Sequence, residues 1–561
     1  MSAERGNALT GAEAVVFLLR QYGVEIVFGL CGDTSLPLYD ALARLDHGIV
    51  HVLARDERSA AYMADAYARL SGRVGVCEGP SGGGATYILP GVVEANESSV
   101  PLLAITSDIS VSARGRFTLT EIDQEALFRP ATKWNAVIDR AADIPRTMRA
   151  AFSAITAGRP GAAHIGLPYD VQRDPVEEGD VRAGPHAPRR AAPDPDSIRA
   201  AADAIASASA PLFICGGGVL TAGADAALLG LADSIGAPVA TTISGKGTVA
   251  ETHELAVGVV GSNGGTRETR AVVEAADLVV FVGCRAGSVT TERWRYPAPG
   301  GTRIVHVDVD PLVPGANYPT EAAVEGDALL ALEALASALD GASPGRIDPG
   351  FVAARKAEKF RAFDELATAD ATPIRPERLV AALQAALPED FVVIADPGTP
   401  CPYLSAYLVL DRPGRRFLSN RAHGALGYAM PAAMGAHFAR PDARCVAVMG
   451  DGSFAFAAGE LETVVRLDLP VTFVVVSNAS FGWIKAGQKS GYGGRYHAVD
   501  FSPSDHARIA EAYGVRAWRV AEPGELAPAL EAALAHDGPS LVDVVCQPLE
   551  EARAPVSEWV A

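Results

Sequence analysis

The chain has 561 residues, 49% of them apolar, which is enough for several hydrophobic cores and about three to four domains. Its net charge of −19, from 48 basic and 67 acidic residues, argues against nucleic acid or an anionic membrane as a partner. The seven cysteines form no Cys-x-x-Cys pair, so neither a zinc site nor a disulfide framework is indicated, and a reducing cytoplasm is the expected location. We find no apolar run long enough to span a bilayer and no signal-peptide pattern at the N-terminus.

The first third of the chain alternates short apolar runs with amphipathic stretches, which predicts a parallel sheet covered by helices. The predicted elements are a helix at 11–23 and strands at 25–29, 49–54, 75–78 and 101–106. Glu57 lies at the end of the second strand, where a helix with apolar positions begins. A carboxyl group there is expected to be partly buried with a raised pKa. Taken alone, Glu57 is more simply an acid that favours the N-terminal end of a helix.

Two further α/β units follow a linker at 173–195 that is rich in proline, arginine and acid. In the second unit, apolar strands end in glycine-bearing turns, a generic feature of nucleotide-binding domains. Arg285 and Asp308 follow two of these strands as candidate ligand residues, or as partners in loop salt bridges. In the third unit, a strand at 391–396 leads into a Pro-Gly-Thr-Pro turn, and a last strand at 539–545 is expected to close the sheet.

The most informative stretch is MGDGSFAFAAGELETVVRLDLPVTFVVVSNASFGW, residues 449–483. It indicates a strand, a loop, a helix from about 457 to 466, a second strand and a second loop, which together predict a right-handed βαβ unit. Asp451 and Asn478 then follow neighbouring strands, at the edge where open parallel sheets bind ligands. Carboxylate, amide and carbonyl oxygens suit Mg²⁺, with phosphate oxygens completing its coordination, and Gly450 and Gly452 let a diphosphate approach the backbone. For GDG alone, a turn with a capping Asp is the simpler interpretation.

The stretch resembles the diphosphate-binding motif of thiamine diphosphate (ThDP) enzymes, in which GDG, a helix and a strand precede an Asn loop. The resemblance implies that Asp451 and Asn478 are side-chain ligands of Mg²⁺ and that the carbonyl of Ser480 is the third ligand. Ser453, next to the two glycines, belongs to the same implied cofactor site. Position 479 is Ala, where many members have Asn or Gly.

The segment around Glu57 resembles the family pattern of an acid before an Ala-rich helix that ends in Tyr-Ala-Arg, here residues 67–69. By this resemblance, the Glu57 carboxyl hydrogen-bonds N1′ of the cofactor's aminopyrimidine and thereby promotes loss of the thiazolium C2 proton. The turn after the third strand, with Pro80, resembles the Gly-Pro-Gly loop near the cofactor. The other implied cofactor contacts are Gly398, Thr399, the carbonyl of Gly424 to the 4′-amino group, and Leu426 as the apolar residue that forces the two rings into a V.

Substrate contacts are implied at four positions: Asp33, Asp56, Thr120 and His423. Position 56 is Asp where many relatives have His, and Leu119-Thr120-Glu121 stands where acetolactate synthases have Phe-Gln-Glu. These departures concern the choice of substrate rather than activation of the cofactor. His423 is at least as well explained as a structural histidine.

The resemblance covers nearly the whole chain and implies an α/β protein with three doubly wound parallel-sheet domains. They are an N-terminal ThDP pyrimidine-binding domain at 1–185, a central Rossmann-like domain at 190–345, and a C-terminal ThDP diphosphate- and Mg-binding domain at 365–561. The central domain of such relatives holds FAD in some members and ADP or nothing in others, and the residues leave that choice open. Relatives also imply a homodimer or homotetramer with the active site at the subunit interface. The C-terminal residues 554–559 are a candidate lid.

Among ThDP enzymes the chain is similar to the catalytic large subunits of acetolactate synthases. That implies ThDP- and Mg-dependent decarboxylation of a 2-oxo acid, with carboligation to a second carbonyl. One alternative is a ThDP decarboxylase or C–C lyase acting on another 2-oxo acid or on an acyl-CoA, as in relatives of oxalyl-CoA decarboxylase. We can assign no basic cluster to CoA phosphates. A second alternative is a non-catalytic nucleotide-binding scaffold, which the joint presence of Glu57, Asp451 and Asn478 disfavours.

Overall fold

Three six-stranded parallel sheets form the framework of the protein, in a computed structural model that describes residues 8–184, 190–552 and 554–557. Neighbouring strands in all three sheets run parallel. A separate antiparallel pair joins Ala8–Thr10 to Pro175–Glu177. The predicted fold class, an α/β protein with three parallel-sheet domains, is confirmed.

The strand order in each sheet is that of an open α/β sheet with crossover connections. The N-terminal sheet has the order Val50–Leu53, Ile26–Gly29, Gly75–Gly79, Leu102–Asp108, Ala162–Pro168 and Trp134–Val137. The central sheet has the order Ala256–Val259, Val239–Thr241, Pro211–Cys215, Leu278–Val282, Arg303–Asp308 and Ala322–Glu325. The C-terminal sheet has the order Phe417–Leu418, Phe391–Ala395, Arg444–Gly450, Thr472–Ser477, Ser540–Val545 and Arg516–Val520.

The chain divides into two compact units. The first contains the N-terminal sheet together with residues 420–442 and 457–469, and the second contains the central and C-terminal sheets. Helices of the first unit are Gly11–Gln21, Leu36–Arg44, Glu57–Ser71, Gly83–Tyr87, Leu89–Glu97, Gln124–Phe128, Ile144–Thr156, Tyr169–Arg173, Ala429–Ala439 and Glu460–Arg466. The other helices are Pro195–Ala206, Gly217–Ala222, Asp225–Ile235, Arg267–Glu274, Ala328–Ala338, Pro349–Ala367, Pro376–Ala386, Pro400–Tyr407, Asp451–Ala457, Gly482–Tyr492, His506–Tyr513 and Leu526–Leu534. Within the described ranges, no helix is both long and apolar enough to cross a membrane.

Both faces of the central sheet are buried. Phe213 and Cys215 pack in one hydrophobic cluster, whereas Leu212 and Ile214 of the same strand pack in another. Since successive side chains of a strand point to opposite faces, helices must cover both sides. Burial on both faces explains why the strands of this sheet are continuous apolar runs rather than alternating ones.

The helix that begins at Glu57 packs against a second helix of small residues, Ala429–Ala439, in the same unit. A Cβ atom on Gly435 would lie 2.1 Å from the carbonyl oxygen of Met63, so glycine is required for the two backbones to approach. The small residues of 429–436 therefore serve helix packing here.

Two predicted elements differ from the structure. The last strand, Ser540–Val545, lies inside its sheet and does not close it, because the edge is formed by Arg516–Val520. That edge strand carries two arginines and is largely accessible, so it lacks the apolar run that marks a buried strand. The helix of the 449–483 stretch starts earlier than predicted, at Asp451, and is interrupted before Glu460.

Candidate active site

Asp451 and Asn478 lie side by side at the carboxyl edge of the C-terminal sheet. Their strands, Arg444–Gly450 and Thr472–Ser477, are parallel neighbours, so the chain leaves both strands at the same edge. One carboxylate oxygen of Asp451 accepts hydrogen bonds from the backbone N–H groups of Asn478 at 2.8 Å and Ala479 at 2.6 Å. The other accepts from the N–H of Gly452 at 2.8 Å. Asp451 thus joins the two predicted loops.

The loop after the second strand is held in a tight conformation. The side-chain oxygen of Asn478 accepts from the N–H of Ser480 at 3.2 Å and from its hydroxyl at 3.1 Å. Ala479 between them has φ +53, a left-handed conformation in which residues with a Cβ are uncommon. Such conformations cluster at ligand sites, and this one explains why glycine or asparagine also suits position 479.

The donor set fits a hard divalent cation bound together with phosphate. Asp451 is buried, and this burial raises the pKa of its carboxyl group even though three backbone N–H groups oppose the rise. A cation beside it would offset that cost. The described residues contain no cluster of three His, Cys, Asp or Glu, and the oxygens brought together here are those of the Asp451 carboxylate and the Asn478 amide, which are hard ligands. A Cβ on Gly450 would have no described atom within 4 Å, so the strand end is open.

Thr399 and Asn478 converge on Gly482, which begins the next helix. A Cβ on Gly482 would lie 3.2 Å from the Thr399 hydroxyl oxygen and 3.3 Å from the amide nitrogen of Asn478. Gly398, just before, has φ +104 and open space on its Cβ side. The hydroxyl of Ser453 instead donates to the buried Asp396, so the Ser453 side chain is used within the protein.

A buried polar triad supports this edge of the sheet and was missed by the sequence analysis. The hydroxyl of Ser477 donates to Asp543 and lies 3.0 Å from Nδ1 of His506. Arg519 also donates to Asp543, at 2.6 Å. Burial would raise the pKa of Asp543, but the hydrogen bonds from His506 and Ser477 outweigh it and lower the pKa. The only signal in the sequence is an acid inside an apolar strand.

Glu57, in the other unit, has a buried carboxyl group. No other described residue donates a hydrogen bond to it, and only 7% of the residue is exposed. Burial raises its pKa, although its own backbone N–H opposes this, and the charges of Asp56 and Glu78 raise it further. Its Oε1 would lie 3.1 Å from a Cβ on Gly84, so the glycine turn leaves room for it.

Pro80 shapes the same turn. Its ring would be 2.4 Å from a Cβ on Gly32 and 2.4 Å from a Cβ on Gly84, so it packs between two glycine backbones. Pro80 and the Glu57 carboxyl group therefore both pack against Gly84, while a contact of Pro80 with the cofactor remains a prediction.

Three hydroxyl groups connect the predicted substrate segments of the first unit. The Ser81 and Thr120 hydroxyls are 2.6 Å apart, and the Thr34 hydroxyl donates to Ser81 at 3.1 Å. Thr120 has φ +69, which is strained for a β-branched residue. Asp33, which precedes Thr34 in the chain, is exposed. The carboxylate of Asp56 caps the N-terminus of its helix by accepting a hydrogen bond from the Arg58 N–H at 2.8 Å.

The predicted ring-binding loop lies in the first unit, between Asn420 and Tyr428. Gly424 has φ +70 with open space on its Cβ side, and His423 is exposed while Leu426 is half-buried. These residues share one loop, as predicted. Their contacts with a cofactor remain predictions.

The glycine turns of the central domain pack on one another. A Cβ on Gly216 would lie 2.1 Å from the carbonyl oxygen of Gly283, and one on Gly218 would lie 2.7 Å from the Cα of Gly283. Internal packing therefore accounts for these glycines without a ligand. Arg285 is exposed, and Asp308 accepts from the Asp310 N–H at 2.9 Å. This geometry gives FAD no independent support.

The described part of the candidate lid binds the central domain. Val556 pairs with Asn263, and the carbonyl of Pro555 accepts from the Gly264 N–H at 2.9 Å. Residues 558 and 559 of the candidate lid lie outside the described residues.

Comparison with known proteins identifies the family to which the chain belongs. Three models of thiamine pyrophosphate enzymes match the chain: the N-terminal TPP-binding domain at 9–127, the central domain at 198–335 and the C-terminal TPP-binding domain at 396–544. The chain belongs to the thiamine pyrophosphate enzyme family. It is therefore a ThDP-dependent enzyme, with the two ThDP-binding domains around the N-terminal and C-terminal sheets.

Several family members are similar along nearly their whole length. The chain is 36% identical to a probable acetolactate synthase large subunit of Methanocaldococcus jannaschii, over 97% of this chain and 93% of that protein. It is 34% identical to a probable acetolactate synthase large subunit of Methanococcus aeolicus, over 96% of this chain and 92% of that protein. It is 32% identical to the acetolactate synthase isozyme 3 large subunit of Escherichia coli, with 94% and 92% covered.

Proposed function

We propose that this enzyme decarboxylates a 2-oxo acid and joins the remaining acyl unit to a second carbonyl compound, as an acetolactate synthase does. The observation that carries the proposal is the buried carboxyl group of Glu57, to which no other described residue donates a hydrogen bond, in a chain that aligns over almost its full length with acetolactate synthase large subunits. When bound, ThDP supplies a nucleophilic carbon. It also supplies an electron sink for the electron pair that stays behind when CO₂ leaves.

Glu57 holds a proton at its carboxyl group opposite N1′ of the aminopyrimidine. Burial raises the pKa of this carboxyl group, which favours its protonated form relative to an exposed glutamate and suits a general acid–base residue. The space left by Gly84 and Gly79 around the carboxyl group supports this role. The other residues orient the ring: the carbonyl of Gly424 accepts from the 4′-amino group, and Leu426 supports the V shape.

Asp451, Asn478 and the carbonyl of Ser480 hold Mg²⁺, which binds the diphosphate of the cofactor. Supporting observations are the buried carboxylate, the adjacent amide oxygen and the open strand end at Gly450. Hard oxygen ligands of this kind suit Mg²⁺. The role of the protein is to fix the position of the cofactor, since no chemistry occurs at the diphosphate.

The active form is a homodimer or homotetramer in the cytoplasm, with Glu57 of one chain and Asp451 of another completing each active site. Large apolar side chains exposed in the first unit support association: Leu36, Val50, Leu53, Tyr87, Phe117 and Leu119. Exposed apolar residues are ordinary one at a time, whereas six large ones in one unit suit a surface that is covered on association. Sedimentation of the purified protein tests this.

A second candidate reaction uses a different 2-oxo acid or a different acceptor. Thr120, in a strained backbone beside Ser81, stands where acetolactate synthases have Gln, and this difference favours a donor or acceptor other than pyruvate. The alternative is thus a ThDP decarboxylase or C–C lyase on another 2-oxo acid. An acyl-CoA substrate has no observation in its favour.

The test is NMR of the protein with Mg²⁺, ThDP and pyruvate, in parallel with a panel of other 2-oxo acids. Formation of acetolactate is the expected result. Consumption of another acid but not pyruvate would replace the synthase by the second candidate, and no reaction with any acid would contradict both. The absorbance spectrum of the same sample decides whether flavin is bound, and no step proposed here uses flavin.

A further inference from the structure

The loop of Asn420 to Tyr428, which we call the ring loop, is bound at its start by one buried carboxylate. Glu94 of the helix Leu89–Glu97 is fully buried. It accepts hydrogen bonds from three consecutive backbone N–H groups of the loop: Arg421 at 3.2 Å, Ala422 at 3.2 Å and His423 at 2.7 Å. A carboxylate that accepts three backbone N–H groups fixes the path of the chain more tightly than a neutral acceptor could.

The end of the ring loop is bound by a second buried carboxylate. The hydroxyl of Tyr428 donates to Asp65 at 2.7 Å, and both residues are fully buried. Between the two ends, the side chain of Asn420 donates to the carbonyl of Ala425 at 2.7 Å. The ring loop is therefore held at both ends and braced across its middle.

Arg69 joins the two carboxylates into one network. It donates to both oxygens of Asp65, at 2.8 and 3.1 Å, and to Glu94 at 3.1 Å. Only 5% of its side chain is exposed. Ser98 completes the set by donating to Glu94 at 2.6 Å. Because the members are buried and multiply hydrogen-bonded, loss of one leaves the others unpaired in a low-dielectric environment, which is costly.

The middle of the ring loop carries the implied cofactor contacts. A Cβ on Gly424 would have no described atom within 4 Å, so the space on that side of its backbone is open. The direction of its carbonyl depends on the chain on either side, which Glu94 and Asp65 hold. In a polar network of this type, the outer residues contact no ligand but hold in place the groups that do.

We propose that Glu94, with Arg69 and Asp65, is a positioning residue that sets the ring loop for the aminopyrimidine of ThDP. The inference rests on the proposed function, since it assigns a task to the loop in that function. Glu94 acts through the backbone of residues 421–424 and makes no contact with the cofactor. Its loss lowers cofactor affinity more than it lowers turnover at saturating cofactor.

The test compares Glu94→Gln with Glu125→Gln, which changes an exposed acid of the same unit whose carboxylate lies 3.9 Å from Arg129. Hydrogen exchange of peptides covering 420–428 is measured with the peptide covering 472–477 as an internal control, and the apparent KM for ThDP is measured at fixed Mg²⁺. In Glu94→Gln we expect about tenfold faster exchange of the ring loop and about a tenfold higher KM for ThDP, with kcat changed only a few-fold. Glu125→Gln should match the unaltered protein in all three.

A folded Glu94→Gln with unchanged exchange would overturn the proposal. Faster exchange with an unchanged KM would also overturn it, because the network would then be structural only. If Glu94→Gln does not fold, Tyr428→Phe removes a single hydroxyl from the same network, and a KM for ThDP equal to that of the unaltered protein would overturn the proposal. Failure of the unaltered protein to bind ThDP would contradict the proposed function instead, and the exchange data would still report whether Glu94 holds the loop.

Discussion

Glu57 and Asp451 are both buried carboxyl groups that follow a parallel strand, yet their surroundings are opposite. Asp451 accepts three backbone N–H groups within 2.8 Å, whereas Glu57 receives no hydrogen bond from any other described residue. Burial raises the pKa of both. Backbone donors stabilise the anion, so Asp451 is arranged as a fixed negative charge and Glu57 as a group that exchanges a proton.

The difference shows that position in the fold does not determine chemical role. Both sites lie where open sheets bind ligands, but only the donors around each carboxyl group distinguish a cation ligand from an acid–base residue. The comparison can be tested by changing each group to its amide, since Gln and Asn keep the shape and remove the ability to ionise.

Glu57→Gln should give the largest effect. Loss of the ionisable proton should lower kcat by roughly 10²–10⁴-fold, while Mg²⁺ and ThDP still bind through the other domain. Turnover and ThDP affinity by calorimetry check this, with the surface variant Glu25→Gln as control, since Glu25 is exposed in an ion pair with Arg73. A fully active Glu57→Gln would contradict the acid–base role.

Asp451→Asn should act mainly on binding. The amide nitrogen would face backbone donors and cannot bind a cation, so affinity for Mg²⁺ and ThDP should fall on the order of 100-fold or more. Calorimetric titration of ThDP at several Mg²⁺ concentrations measures this. Unchanged affinity with lost turnover would reverse the roles that we assign to Asp451 and Glu57.

The stability of the protein should report the proton on Glu57. Because its pKa is raised in the folded state, the folded protein binds this proton more tightly than the unfolded chain, and stability falls as the pH rises from the ordinary value of 4.5 through the raised value. Glu57→Gln removes this pH-dependent loss of stability. Its Tm relative to the unaltered protein should therefore be higher at pH about 8 than at pH about 5.

Thermal unfolding at the two pH values, without cofactor, makes this measurement. Asp56 and Glu78, whose charges also act on Glu57, remain in the variant, so the Tm difference reports Glu57 together with its coupling to these two groups. A Tm difference that does not depend on pH would mean that Glu57 ionises as it does in the unfolded chain.

Ser480→Ala should have the smallest effect. The implied ligand at this position is the backbone carbonyl, which alanine retains, and only the hydroxyl bond of 3.1 Å to Asn478 is lost. A change of about 1 kcal/mol is expected, or a few-fold in the apparent KM for Mg²⁺. Asn478→Ala is the matched comparison and should cost far more, because it removes a ligand oxygen. Equal effects of the two changes would contradict the assignment of the carbonyl.

The sequence by itself determined the main buried strands, the parallel sheets and the adjacency of Asp451 and Asn478. Apolar runs alternating with helices leave few arrangements other than a parallel α/β sheet. Once two strands are neighbours, the residues that follow them must meet at one edge. The position of Glu57, just after its strand, likewise follows from the local sequence.

The tertiary structure decided which residues surround these groups. Glu94 lies 327 residues before the Arg421 N–H that it accepts, and Asp543 lies 66 residues after Ser477, so periodicity along the chain contains no trace of either contact. The edge strand Arg516–Val520 was missed for a related reason, because its strand character comes from pairing rather than from burial. Local pattern reflects the burial of each segment, whereas hydrogen-bond partners depend on which distant segments the fold brings together.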